Sequence, residues 1–247
     1  MAGITDSKFV KQLIPYGFDM VTIGGYNVDE KTIKAGEEIL KKGNRKEFKI
    51  DEECIINHIE DEVNNIKEDF DIIVSANLRA TTPDPIVEIS KIKELDVIEL
   101  NAHCRQEELT NINCGQEIMK NPVYLEEFIK ELTKKSKSKV SVKIRANVEG
   151  INTLNISKII DKLNTNFLHL DCMKPGSPNC DLEIIKKINE NTDIFIIGNN
   201  SIIDINSAKN MLSAGASGIS IARATLNGKL SFNLNKIKNY SKKEVSI

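Results

Sequence analysis

An α/β fold, a parallel sheet with helices between its strands, is what this sequence predicts, and three observations carry the prediction. First, seven short apolar, β-branched runs recur along the 247 residues: FDMVTIGG (18–25), FDIIVSAN (70–77), DVIELN (96–101), KVSVKIRA (139–146), FLHLDC (167–172), DIFIIGN (193–199) and GISIAR (218–223). Their near-continuous Val, Ile and Leu content suits strands buried on both faces, as in a parallel sheet. Second, the segments between the runs carry apolar residues at helical spacing. Third, no linker, repeat or low-complexity tract interrupts the alternation, so 1–235 reads as a single domain followed by a short basic tail, 236–247. Alternation of this kind at this length predicts a (β/α)8 TIM barrel, with seven strands visible and the first lacking or truncated.

The opening MAGITDSKFV holds no strand. Gly3, Thr5 and Asp6 read as a loop that has left one element and caps the next, the helix SKFVKQLIPYG. The expectation is therefore an eighth strand upstream of Met1, and an open edge between FDMVTIGG and GISIAR. Segment 29–69 is longer than one crossover needs and predicts two helices, VDEKTIKAGEEILKKG and EECIINHIEDEVNNIKED, joined around NRKEFKI. PVYLEEFIKELTKKS places Pro122 in a first turn and keeps Leu125, Phe128, Ile129 and Leu132 on one face. DLEIIKKINENT and SIIDINSAKNMLSAG are also amphipathic, the latter with Ser201 as its expected N-cap and Gly215 as its stop.

Composition narrows the function classes. A net charge of −2 with 28% charged residues gives no global basic field of the sort a dedicated nucleic-acid binder carries. No apolar run approaches the ~18 residues of a membrane span, and no signal-peptide pattern opens the chain, so no membrane partner is expected. Five scattered cysteines, Cys54, Cys104, Cys114, Cys172 and Cys180, fit free thiols in a reducing cytoplasm. His103, Cys104, Cys114, Cys172 and Cys180 contain no C-x-x-C spacing, and no metal site is expected from them.

Barrel enzymes carry their functional groups where strands end and βα loops begin. Asn101, Lys143, His169 and Asn199 lie at such ends, on four different strands. Lys143 stands among β-branched neighbours, where an unpaired ammonium is costly, so it needs a bound ligand or a carboxylate such as Glu99. The loops Gly198-Asn199-Asn200-Ser201 and Ala222-Arg223-Ala224 could offer amides, helix N-termini and the Arg223 guanidinium to a phosphate. The methyl of Ala222 restricts close approach there, and would disfavour a positive φ.

In order, these motifs resemble the FMN-binding barrel of tRNA-dihydrouridine synthases, which is related to dihydroorotate dehydrogenase. Met1-Ala2-Gly3-Ile4-Thr5-Asp6 is similar to that family's A-P-M-A-G-V-T-D. ELNAHCR matches D-x-N-x-G-C-P at Asn101 and Cys104, with His103 and Arg105 where Gly and Pro are usual; Gly115 and Asn121-Pro122 follow. VSVKIR resembles V-K-I-R and brings Lys143, while FLHLD places His169 at the His of H-x-R-T without its Arg and Thr. IIGNNSI resembles I-G-N-G-D-I, with Asn200 and Ser201 replacing Gly and Asp. GASGISIARATLNG resembles G-A-D-G-V-M-I-G-R-G-A-L-G, with Ala222 replacing a Gly.

The resemblance spans residues 1 to about 230. It implies an oxidoreductase holding FMN through Met1, Ala2, Asn101, Lys143, His169, Gly198, Asn199, Asn200, Ala222 and Arg223, with NAD(P)H as electron donor. Cys104 takes the place of the family's acid, which protonates a pyrimidine carbon while hydride reaches its neighbour. His103 and Arg105 beside it would favour thiolate. The implied substrate is an unsaturated pyrimidine-like ring, either a tRNA uridine or a small molecule. The family's synthases carry a C-terminal helical domain that grips RNA, whereas this chain closes on NLNKIKNYSKKEVSI, which favours the small molecule. The rival reading is a barrel that has lost FMN and binds ligands or assembles with other proteins; the substitutions at 103, 105, 200 and 222 point that way.

Overall fold

A computed structural model describes residues 2–43 and 45–240. Seven strands, β1 (Met20–Asn27), β2 (Ile73–Arg79), β3 (Val97–Ala102), β4 (Lys139–Arg145), β5 (Phe167–Asp171), β6 (Phe195–Asn199) and β7 (Gly218–Ser220), form one parallel sheet in sequence order. Among the described residues nine α-helices lie around it: α1 (Ser7–Lys11), α2 (Glu30–Lys41), α3 (Ile55–Lys67), α4 (Asp84–Ile89), α5 (Glu107–Thr110), α6 (Pro122–Lys135), α7 (Thr153–Lys162), α8 (Leu182–Asn189) and α9 (Ile205–Ser213). The sheet curls into a half-barrel, and among the described residues β7 does not pair with β1. The expected (β/α) barrel is thus present without full closure. None of the described helices is long and apolar enough to cross a membrane.

The two-residue side-chain period of a strand sorts each strand into two sets. One set, including Val74, Leu78, Ile98, Leu100, Val142, Ile144, Leu168, Leu170 and Ile196, is buried against the helices. It packs with Ile59, Val63 and Ile66 of α3, Phe128 and Leu132 of α6, and Ile156 and Ile160 of α7. Each such side chain contributes roughly 1.5–3 kcal/mol of burial free energy, which makes this layer the main stabiliser. The other set faces the interior. Its lower layer is apolar, with Met20, Ile73, Val97, Phe167, Phe195 and Ile197 in one cluster and the Phe167 and Phe195 rings edge-to-face at 5.5 Å. Toward the C-terminal ends of the strands the same set turns polar, and there the site is built.

The ends of the elements follow local chemistry. Asp6 caps α1 by accepting from the Phe9 amide at 2.7 Å, so the opening loop leads into a helix as expected. That helix is short; SKFVKQLIPYG breaks after Lys11 and finishes as a 3-10 turn, Ile14–Tyr16, ended by Gly17. Thr5 lies antiparallel to Gly24 along the edge of β1, with the Gly24 amide donating to the Thr5 carbonyl at 2.9 Å. The joined pair α2 and α3 fills segment 29–69, and Pro122 opens α6 in its first turn, with Asn121 capping it. Ser201 is not the cap of α9. Asp204 takes that place because it and Ser207 exchange reciprocal bonds, the Ser207 amide donating to Asp204 at 2.7 Å and the Asp204 amide to Ser207 Oγ at 3.1 Å. Ser201 sits in the left-handed region, and its hydroxyl donates to the Pro178 carbonyl.

Candidate active site at the C-terminal ends of the strands

Four consecutive strands end in two polar residues spaced two apart: Asn77 and Arg79, Glu99 and Asn101, Lys143 and Arg145, His169 and Asp171. That spacing puts both members of each pair on the inner face. Asn101, Lys143 and His169 are Cα partners across β3, β4 and β5, so the structure brings these three expected residues into one row. Asn199 lies one step further along, in register with Asp171 and Ser220, and ties β6 to β7 through a 2.7 Å bond from its amide to the Ser220 carbonyl.

A buried chain of bonds organises the row around Glu99. Asn77 Nδ2 donates to Glu99 Oε1 at 2.7 Å, Ser141 Oγ donates to Oε2 at 3.0 Å, and His169 Nδ1 lies 2.8 Å from Oε2. Burial alone would raise the Glu99 carboxyl, but the His169 ring, Lys143 and the Asn77 bond hold it below the usual carboxylate range. Burial, then the Lys143 charge, push the His169 imidazole down. A neutral ring donating from Nδ1 to an ionised Glu99 satisfies both, and leaves Nε2 as an acceptor. That Nε2 is buried with no partner, in a residue 4% exposed. Glu99 is engaged by Asn77, Ser141 and His169, and no ion pair joins it to Lys143. Lys143 is half-buried, with no ion pair or hydrogen bond recorded among the described residues.

Asn101 sets the loop that carries the candidate thiol. Its amide nitrogen donates to Asn77 at 2.7 Å, and its Oδ1 accepts from the amides of His103 at 3.2 Å and Cys104 at 3.0 Å. The Cys104 side chain turns inward, 4% exposed, and its Sγ donates to Gln106 Oε1. His103, expected as a cation beside that thiol, turns toward Asp171, and other cations stand at the sulfur. They are Arg79 and Arg45, each with a guanidinium nitrogen 4.0 Å from Sγ. Arg79, 1% exposed, donates to the Gly25 carbonyl at 2.6 Å and forms a buried ion pair with Glu47. Arg45 shares the same carboxylate, its Nε lying 3.2 Å from Glu47 Oε1.

His103 turns the other way, its Nε2 lying 2.8 Å from Asp171 Oδ2. Arg145 also meets that oxygen, at 3.1 Å, and Asn200 donates to Oδ1 at 2.6 Å. Burial, opposed by Asp171, pushes the His103 imidazole down to about 4, so at neutral pH it is not a cation next to Cys104. His103, Arg145 and the Asn200 bond together hold the Asp171 carboxyl below its usual range despite its burial.

The two loops expected to cradle a phosphate differ from their sequence reading. Ala222 has φ −127°, so its methyl meets no left-handed demand; the left-handed residues are Asn200 (φ 102°) and Ser201 (φ 54°). Asp204 already occupies the N-terminus of α9, and the loop directly after β7 leads into the three-residue 3-10 turn Arg223–Thr225, with no α-helix opening there. Free helix amides are therefore not what these loops present. Arg223 is the cation there, donating to Asn200 Oδ1 at 3.3 Å. Gly198 serves packing, since a Cβ would come within 2.5 Å of Met211 Sδ. A cavity of about 550 Å3 opens at this end of the sheet, lined by Ala2, Ile4, Gly43, Arg45, Lys46, Arg223 and Leu226. Met1 lies outside the described residues. All five cysteines are free, and no group of three His, Cys, Asp or Glu among the described residues is placed to hold a metal ion.

Arg79, Arg145 and Asp171 carry this geometry together with residues that sequence reasoning named, Glu99 among them. The repeated polar pair two apart was the signal that could have found them; Glu47 and Arg45, in a loop, had no such signal.

Comparison with known proteins bears on the fold and the family. An uncharacterized protein of Methanocaldococcus jannaschii is 38% identical over 253 residues, covering 99% of this chain and 93% of that one. Among solved structures, a chain of the tryptophan synthase complex of Pyrococcus furiosus superposes with a TM-score of 0.57 at 12% identity over 92% of this chain and 86% of that chain. FabK of Thermotoga maritima superposes at 0.50 and 13% identity over 87% of this chain; the match spans only 61% of FabK, less than two thirds of its length. Both likenesses show the fold alone. The family model described as dihydrouridine synthase (Dus) matches residues 50–245. This chain belongs to the dihydrouridine synthase family.

Proposed function

We propose that the protein is an FMN-dependent oxidoreductase acting at the C-terminal end of its barrel on an unsaturated pyrimidine-like ring, with NAD(P)H as the source of electrons. Family membership supports the reaction class. The observation that carries the cofactor is the row Asn101–Lys143–His169, in which an ammonium without an ion pair stands next to a buried imidazole nitrogen without a partner. Buried polar atoms are ordinarily satisfied, so an orphan of this kind marks a place where a ligand completes the bonding. The residues present thus fit a flavin ring. FMN bound there would supply the hydride.

The roles of the protein's own groups follow from their placement. Lys143 offers positive charge that favours negative charge on a bound ring system. His169 Nε2, left as an acceptor by the Nδ1 bond to Glu99, would be the group to receive a hydrogen bond from a bound ring system. Asn101 fixes the Cys104 loop rather than reaching outward, since its amide group is engaged at both ends. Cys104 holds a proton at Sγ, sheltered from water, for delivery to a ring carbon. Arg223, beside Asn200, is the group that would meet the cofactor's phosphate, with Asn199, Gly198 and Ala222 shaping the loops and Ala2 on the cavity wall. Five free thiols fit a reducing, cytoplasmic setting.

Titrating FMN into flavin-free protein and into Lys143→Met tests this reading. Saturable binding that weakens at least about tenfold in the variant is expected, as for loss of one charge-assisted contact. Equal binding by both would remove Lys143 from the site. The capped N-terminus of α9 favours the second reading, a barrel that binds other ligands without FMN; no uptake by the unaltered protein would leave that reading standing.

A further inference from the structure

Cations from two separate segments of the chain line the cavity at the mouth, and the proposed function uses only one of those segments. Arg223, in the turn after β7, stands on the side given to the cofactor's phosphate. Arg45 and Lys46, in the loop after α2, stand among the other lining residues. No carboxylate lines the cavity among the described residues, although the chain as a whole carries a net charge of −2. A local excess of positive charge in an acidic chain is a site feature and not a general field.

The Arg45 head group is held in place. Its Nε lies 3.2 Å from Glu47, and Glu47 is fully buried in a second ion pair with Arg79. One carboxylate shared between two guanidinium groups leaves uncompensated positive charge, already oriented, which is what planar recognition of a phosphate needs. The same Arg45 guanidinium lies 4.0 Å from Cys104 Sγ. An anion bound by Arg45 is therefore next to the candidate proton donor, where the substrate and not the cofactor's phosphate belongs.

We infer that Arg45 and Lys46 form a second anion subsite that binds the phosphate of the substrate, and that the substrate is a pyrimidine mononucleotide and not a free base. A cavity of about 550 Å3 lies within the range of small-ligand pockets, roughly 300–1,000 Å3. The substrate role rests on the flavoenzyme reading, but binding to the subsite does not require FMN.

The test measures binding of uridine 5′-monophosphate, uridine and a short uridine-containing RNA by calorimetry, with and without FMN, to the unaltered protein, Lys46→Gln and Arg45→Gln. Lys46 is exposed, so its replacement leaves the fold intact if Arg45→Gln disturbs the Glu47 pair. The expected result is mononucleotide binding at least tenfold tighter than uridine, competed by inorganic phosphate and weakened several-fold or more in Lys46→Gln. Equal binding of nucleotide and nucleoside overturns the inference, as does no binding of either. RNA binding through Lys46 without mononucleotide binding overturns it too, in favour of a polymer. Failure to take up FMN with phosphate-dependent binding retained counts against the flavoenzyme reading alone. FMN uptake without phosphate-dependent binding counts against the subsite alone.

Discussion

Cys104 has two arginines at its sulfur and a hydrogen bond to Gln106, in a residue only 4% exposed. If it is the proton donor, Cys104→Ala should leave FMN content unchanged and lower turnover by about 10²–10⁴, the usual worth of general acid catalysis. Turnover within a few-fold of the unaltered protein would remove that assignment. The histidines make a separate prediction. His103 titrates near 4 in the fold and at 6.5 ordinarily, so between those values the unfolded chain binds a proton that the folded chain refuses. Its contribution to stability is complete above pH 6.5 and is lost as the pH falls toward 4, by at most about 1.4 kcal/mol per unit. Asp171 and Glu99, held below their usual ranges, act in the same direction at lower pH. Denaturant midpoints measured across this range should fall with acid, and His103→Gln should flatten the upper part of the slope; an unchanged slope would show that His103 does not carry it. Lys143 was legible from sequence because a charged residue inside a β-branched run needs an explanation, and His169 because it sits at a strand end in a motif that resembles the family's. Asp171 and Arg145 are not singled out by sequence, because the informative unit is the pair two apart on a single strand face.

At the scale of elements, the segment 45–50 shapes the mouth through Arg45 and Lys46. Its Glu47 neutralises Arg79 inside the protein, 32 residues further along the chain. Glu47→Gln would leave Arg79 buried without its counter-charge, and should cost about 3–5 kcal/mol in denaturant unfolding. A change below about 1 kcal/mol would mean that Arg79 finds compensation elsewhere. Gly3 closes the same region from the other side. It has φ +67°, and a Cβ there would meet the backbone of Lys46 and Glu47 at 2.6–2.7 Å, so only glycine lets the opening segment lie against this loop. The helices that flank the loop were readable from their period, and α2 starts and ends close to its expected bounds. The loop itself was not: NRKEFKI has no periodicity, and what fixes it is a long-range charge pair. The start of α9 was misread for a related reason. Both Ser201 and Asp204 are good caps, and only the reciprocal bond with Ser207 decides between them.

Across the whole molecule, a parallel sheet was legible because strands covered on both faces carry little but Val, Ile and Leu. The open side was legible too, from a count of seven strands. What sequence could not give is how the sheet's two ends behave. β7 has three residues, all half-exposed, whereas every residue of β3 is buried. Amide exchange should therefore be markedly faster in β7 than in β3, because opening near an edge disrupts few packed neighbours; equal protection would mean that the edge is covered in solution. The placement of Lys143, His169 and Cys104 at one end of this sheet leads to one claim above the others, that the mouth holds FMN. The most direct test is to purify the protein, measure released flavin against protein concentration, and then offer FMN to the flavin-free fraction. The account predicts one FMN per chain, carried through purification or taken up saturably. A colourless protein that binds no FMN at any concentration offered would contradict it.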